Sequence, residues 1–189
     1  MKVIPLHQEE KKLIALAVDH NRQAQQQIYT KFSSKMLSVC RQYINDLHHA
    51  EDVMITGFMK VFTHLNKFEH KGSFEGWIRR IMIYECIDYL RVKKNNFNHQ
   101  NIEDERVNET ESVYEMEDFS MDDIQNMIDN LPNGYKMVFN LYAIEGYKHQ
   151  EIAEMLNISE GTSKSQLSHA RKLLQQQIID LKNKLNGTT

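Results

Sequence analysis

Apolar residues recur at intervals of three and four along most of this chain, the spacing that lines one face of an α-helix. Ile28, Phe32, Met36, Cys40 and Tyr43 form one such stripe, and Ala50, Val53, Met54, Phe58, Val61, Phe62 and Leu65 form a second. A third runs from about Ser73 to Val92 through Phe74, Trp77, Ile78, Ile81 and Met82, and ends in the basic run Arg91-Val92-Lys93-Lys94. A shorter leading helix is expected over Leu13 to Asp19. Toward the C-terminus the pattern resumes with Ile152, Ala153 and Leu156, then Ser163, Leu167, Ala170 and Leu174. With only 7 Gly and 2 Pro in 189 residues to interrupt such patterns, the class expected is all-α.

Between residues 95 and 123 the helical stripe is lost. This stretch has few apolar residues, many Asn and Glu, and ten acidic side chains against Arg106 alone, a charge of −9. Arg22 to Lys94 carries +5 and Leu131 to the C-terminus +2, so the overall −3 conceals two basic segments separated by an acidic one. The organisation expected is a helical domain over 1–94, an acidic flexible linker over 95–123, and a second small helical domain over 124–189. The linker reads either as a self-repelling tether or as an imitation of nucleic acid that occupies a basic channel or covers basic faces of the same chain.

The second domain contains a helix-turn-helix pattern. Lys148 to Leu156 places Ile152, Ala153 and Leu156 on one face, and the small Ala153 permits close approach of another helix. Asn157-Ile158 makes the corner. Ser159 stands where its hydroxyl can accept from the orphan amides of the next turn, and Glu160 follows at the positive end of the helix dipole. On the second helix Gly161, Thr162, Ser165, Ser168, His169 and Lys172 lie opposite the buried stripe, with Lys164 and Arg171 at the edge. Short hydrogen-bonding groups with cations suit a helix entering a major groove about 12 Å wide, where base edges and phosphates are met together. An ordinary helical hairpin with a solvated polar face would lack this coincidence of cap, corner and polar outer face.

A polar, cationic loop, Asn66-Lys67-Phe68-Glu69-His70-Lys71-Gly72, joins the second and third helices of the first domain. Ser73 is placed to cap the next helix, and Arg79 and Arg80 extend a basic flank. Such a loop reads as a solvated connection, or as a site where cations follow a single strand while aromatic faces or pockets hold its unstacked bases.

Other function classes find little support. No window of 18 consecutive apolar residues exists, which argues against a membrane span, and the N-terminus has no apolar run of the signal-peptide kind, so a cytoplasmic location is expected. Cys40 and Cys86 sit within apolar helical patterns and read as reduced, buried thiols. The adjacent pair His48-His49 points in directions about 100° apart on a helix, poor geometry for one metal ion. With no phosphate-binding glycine loop and no nucleophile grouping, catalysis, a cofactor, a metal or a small-molecule substrate are not expected.

Two stretches together resemble a known family. Ala50-Glu51-Asp52-Val53 with Phe58-Met59-Lys60-Val61-Phe62, then Gly72-Ser73-Phe74-Glu75-Gly76-Trp77-Ile78-Arg79-Arg80-Ile81 and Asp88-Tyr89-Leu90-Arg91, is similar to conserved region 2 of the sigma-70 family. Leu131-Pro132-Asn133-Gly134-Tyr135-Lys136-Met137-Val138-Phe139-Asn140-Leu141-Tyr142, followed by the helix-turn-helix, resembles region 4. With these two regions alone, the chain resembles the small extracytoplasmic-function (ECF) group of sigma factors. The resemblance implies that region 2 binds the clamp of core RNA polymerase through the face of Asp52, Val53, Ile55, Thr56 and Phe58. It implies that Asn66, Lys67, Phe68, His70, Lys71, Ser73 and Phe74, with Arg79 and Arg80, hold the melted, single-stranded minus-10 element. Gly161, Thr162, Lys164, Ser165, Ser168, His169, Arg171 and Lys172 would read the minus-35 element as duplex, while the linker would thread toward the RNA exit channel. Trp77 is expected in the core or as a wall of the minus-10 loop. Two exposed binding faces also leave room for an anti-sigma factor.

The chain departs from the family pattern at two places. Ile55-Thr56-Gly57 stands where relatives carry Gln and an acidic residue, and Gly57 is expected to weaken its helix by up to about 1 kcal/mol. His169 replaces an Arg of many relatives, removing a fork that can grip guanine bidentately. Two other readings remain open at this level: a free-standing helix-turn-helix regulator acting as a dimer without polymerase, and a helical protein-interaction adaptor whose acidic segment meets a basic partner.

Overall fold

The computed structural model describes residues 6–96 and 120–186, and these are helical with no strand among them. The chain divides into two compact units, Met1–Asn98 and His99–Thr189.

The first unit comprises α1 (Leu6–Val18), α2 (Arg22–Tyr43), α3 (Leu47–Thr63), a single 3₁₀ turn (Leu65–Lys67) and α4 (Phe74–Asn96). Each boundary has a local cause. Asn21 caps α2, its side-chain oxygen accepting from Ala24 N–H at 3.0 Å, and Asp46 caps α3 by accepting from His49 N–H at 2.9 Å. Ser73 caps α4 in the same way, accepting from Gly76 N–H at 2.9 Å. The three long helices pack pairwise, with α1 laid along α2. Their expected stripes meet in one core: Ile28, Phe32, Met36 and Cys40 from α2, Ala50, Met54, Phe58 and Val61 from α3, and Ile78, Met82, Ile83 and Cys86 from α4 are all buried. Burying each of the large side chains contributes about 1.5–3 kcal/mol, which is where the unit's stability resides. The two thiols are free, and the Cys40 sulfur beside it, together with burial, pushes the Cys86 thiol up.

Gly57 proves to be a packing residue. It is buried on α3 where a Cβ would collide with Sδ of Met82 on α4, so the helix propensity lost at this position is exchanged for a close helix–helix approach.

The second unit contains α5 (Met121–Asp129), α6 (Asn133–Phe139), a π-helical turn (Asn140–Ile144), α7 (His149–Leu156) and α8 (Glu160–Asn186). Its start differs from the expectation of linker through Asp123. The Ser120 hydroxyl accepts from Asp123 N–H at 3.1 Å while the Asp123 carboxylate accepts from Ser120 N–H at 3.1 Å. This reciprocal box draws Asp122 and Asp123 into the first turn of a helix, where acidic side chains favour the dipole. The expected acidic linker otherwise falls on residues 97–119, which lie outside the described residues. Leu131, Tyr135 and Ala170 form a core against which Phe139 and Leu174 pack. Val138, Leu141, Ile152 and Leu167 are also buried. Within this core Lys136 is 2% exposed and its ammonium lies 2.6 Å from Asp129 Oδ1.

Candidate nucleic-acid interface

The helix-turn-helix is built by short-range bonds. The Lys148 N–H donates to the Glu151 carboxylate at 2.7 Å and opens α7. Asn157 adopts the left-handed conformation, φ 54°, which ends α7 at the corner, a backbone state that Asn tolerates better than most residues. Ser159 Oγ then accepts from Thr162 N–H at 2.9 Å, opening α8 at Glu160. The stripe expected on α8 is the one observed: Ser163, Leu167 and Ala170 are buried, and Leu174 is partly so. On α7 Met155 is buried beside Ile152, while Ala153 and Leu156 are only partly covered.

Of the eight residues expected to face a duplex, Gly161, Lys164, Arg171 and Lys172 are exposed, and Thr162, Ser165, Ser168 and His169 are half-buried. Thr162 and Ser165 are engaged locally, Thr162 with Ser159 Oγ at 2.8 Å and Ser165 Oγ donating to Thr162 O at 3.1 Å. Lys164 forms an ion pair with Glu160 at 2.7 Å, one helical turn back. His169 is turned partly inward, its ring stacked on Tyr135 of α6 at 5.4 Å and 13°.

Sequence inspection did not single out Tyr142 and His149, yet they adjoin this face. Their rings stack at 4.6 Å and 22°, and the Arg171 guanidinium lies 5.8 Å from the Tyr142 ring centre. His149 Nδ1 is also within 2.9 Å of Ser163 Oγ on α8. Burial, with the Lys164 and Arg171 cations nearby, holds the His149 imidazole below its ordinary pKa against the opposing influence of Glu160.

In the first unit the loop between α3 and α4 crosses the left-handed region at His70 (φ 56°) and Gly72 (φ 96°). Asn66, Lys67, His70, Lys71 and Ser73 are exposed, as is Arg80 on α4, while Arg79 is partly covered. Lys71 pairs with Glu69 at 2.6 Å. Phe68 and Phe74 depart from the expectation of rings offered to bases. Phe68 is 8% exposed and Phe74 2%, because the loop folds its apolar side under itself: Phe68 packs against Phe74 at 5.1 Å and Trp77 at 5.5 Å. Trp77, stacked on Phe74 at 5.9 Å and 14°, remains half-exposed as the wall of an open pocket of about 260 Å³. Lys60, His64, Lys67, Ile81, Tyr84 and Glu85 complete it. The sequence carries this grouping as Lys60 in the last turn of α3 with His64 capping that helix, and Trp77, Ile81 and Tyr84 along one face of α4, a signal detectable only once the two helices are paired.

The face of α3 expected to meet a protein partner also splits. Asp52, Ile55 and Thr56 are exposed, but Val53 and Phe58 are buried against α2 and α4 and present nothing outward. Met59, one turn beyond Ile55, is 66% exposed.

Comparison with known proteins bears on both units. Residues 28–96 match the family model of sigma-70 region 2, and residues 121–174 match that of sigma-70 region 4. The chain belongs to the sigma-70 family, in its ECF group. It is 27% identical to the ECF RNA polymerase sigma factor SigW of Bacillus subtilis over 163 residues, covering 79% of this chain and 86% of that one. It is 22% identical to the ECF RNA polymerase sigma-E factor of Haemophilus influenzae over 167 residues, covering 82% and 87%. Among solved structures, the sigma factor RpoE of Bartonella quintana, in a co-crystal with the anti-sigma factor NepR, shares the fold with a TM-score of 0.52 at 18% identity, covering 81% of this chain and 95% of that one. This sigma factor therefore works with RNA polymerase and promoter DNA in transcription initiation. No helix among the described residues is long and apolar enough to cross a membrane.

Proposed function

We propose that this ECF sigma factor divides promoter recognition between its two units, acting in the cytoplasm by recruitment and strand capture with no catalysis of its own. The observation that carries the proposal is the outer face of α8, where Gly161, Lys164, Arg171 and Lys172 lie exposed on a helix whose opposite side is the core. In this reading α8 enters the duplex minus-35 element, with Lys164 and Arg171 meeting phosphate or base edges and Thr162, Ser165, Ser168 and His169 supplying shorter contacts at its flank. Lys67, His70, Lys71 and Arg80 follow the backbone of the melted minus-10 strand, and the Trp77-walled pocket between α3 and α4 receives an unstacked base. Asp52, Ile55, Thr56 and Met59 form the surface for the polymerase clamp, with Val53 and Phe58 supporting it from within. An anti-sigma protein covering these same exposed faces would compete with polymerase and DNA at once.

The test is run-off transcription with purified core RNA polymerase on a promoter library, with and without this protein. Start sites that depend on the protein and share two spaced elements are expected. Absence of transcripts, together with absence of association with core polymerase, would overturn this reading in favour of a regulator acting alone.

A further inference from the structure

The π-helical turn after α6 has a geometric consequence for the α8 face. Glu145 N–H donates to Asn140 O at 3.0 Å, a ring one residue wider than an α-helical one, and Tyr147 N–H donates to Leu141 O at 2.9 Å. The widened turn carries Tyr142 to the start of α7, where its ring lies flat on His149. His149 is in turn held by Ser163, a fully buried hydroxyl on the core side of α8. The upper end of this column is the guanidinium of Arg171. Ser163, His149, Tyr142 and Arg171 thus form a continuous pillar that leaves α8 at its buried face and returns to it two turns later at its outer edge.

We propose that Tyr142 is a positioning residue for duplex recognition, fixing the Arg171 guanidinium before DNA arrives, with His149 as the support that fixes Tyr142. The inference rests on the reading that the outer face of α8 meets the duplex. A long arginine side chain at an exposed edge otherwise samples many rotamers, and ordering it on binding costs conformational entropy. An aromatic face beneath the planar guanidinium removes part of that cost and leaves the N–H edge directed outward for a guanine edge. Neither Tyr142 nor His149 needs to touch DNA for this effect.

The experiment is equilibrium binding of holoenzyme, assembled from the full chain and core RNA polymerase, to a duplex fragment whose minus-35 element was selected from a random pool, and to its single-base variants. Arg171→Ala serves as the reference, since it is expected to weaken binding and to flatten base preference at one position. Tyr142→Leu should weaken binding by about two- to fivefold, the range for an exposed cation–π contact, and should flatten preference at that same position. Tyr142→Phe, which keeps the ring, should bind as the parent does. The Tyr142→Leu/Arg171→Ala double variant should bind no worse than Arg171→Ala alone. Additive losses, or an equal loss at every base position, would reduce Tyr142 to ordinary packing and overturn the proposal. If Arg171→Ala itself leaves binding unchanged, the reading of the α8 face fails first, which separates the two failures.

Discussion

The ammonium of Lys136, on a side chain 2% exposed, lies 2.6 Å from the Asp129 carboxylate across the break between α5 and α6. Asp129 supplies a close countercharge to this enclosed cation. Asp129→Ala should destabilise the second unit by about 3–5 kcal/mol, the cost of breaking a buried ion pair by removing one member. Replacing both residues by neutral ones of similar size, Asp129→Asn with Lys136→Met, should recover most of that loss. Urea denaturation of the full chain, with hydrogen exchange of α5 and α6 amides to identify the transition, measures both. A double variant as unstable as Asp129→Ala would show that this ion pair is not what joins the two helices.

In the free protein Lys164 is occupied by Glu160, and the Lys164 ammonium holds the Glu160 carboxyl below its usual pKa. A DNA phosphate would have to displace that carboxylate. Glu160→Gln is expected to tighten duplex binding, whereas Lys164→Ala should weaken it and reduce the log–log salt slope by roughly one. Salt titrations of duplex binding by holoenzyme distinguish the two. An unchanged slope in Lys164→Ala would remove Lys164 from the phosphate contacts.

His149 gives a pH dependence with a definite sign. Its folded pKa lies below the unfolded value of 6.5, so the unfolded chain binds the proton more readily. The neutral ring's contribution to stability is fully present above that value and is lost as pH falls through the lower folded pKa. The full chain should accordingly lose thermal stability on going from about pH 7.5 to about pH 5.5, and less so in His149→Gln. An NMR titration of the His149 ring in the full chain gives the folded pKa directly. A midpoint above 6.5 would contradict the burial and the Lys164 and Arg171 influence described above.

The split of α3 predicts a separation of effects. Ile55→Asp or Met59→Asp changes an exposed surface and should weaken association with core RNA polymerase while leaving the melting temperature nearly unchanged. Phe58→Ala should instead cost about 3–5 kcal/mol of folding stability, because the ring fills the core. Pull-down with core polymerase beside thermal denaturation resolves both. Equal association in all the variants would move the polymerase contact elsewhere.

Where the fold follows from bonds spanning a few residues, the sequence discloses it. The corner at Asn157, the cap at Ser159, the cap at Ser73 and the three long stripes are all of this kind, and they place the outer face of α8 without reference to any partner. Features set by distant or ambiguous partners escape. The Ser120–Asp123 box was concealed by the acidity around it, since a carboxylate in a charged run reads equally as solvated tail or helix start. Phe68 stands among polar neighbours, but the turn at His70 and Gly72 folds its ring under the loop onto Trp77. Periodicity alone placed Val53 and Phe58 in the core, and the structure agrees with that stripe rather than with their assignment to a partner surface. Tyr142 reaches His149 through a widened helical turn that no local pattern announces.

Gly57 has an implication for how such a factor can diverge. Because the absence of its side chain admits Met82, the seam between α3 and α4 is set on the inner side of α3, while Asp52, Ile55, Thr56 and Met59 lie on the outer side. Substitutions on the outer side can then accumulate with little penalty to folding. If that outer side meets polymerase as proposed, the strength of the contact is open to tuning at these positions alone, and the Ile55-Thr56 pair is one such setting.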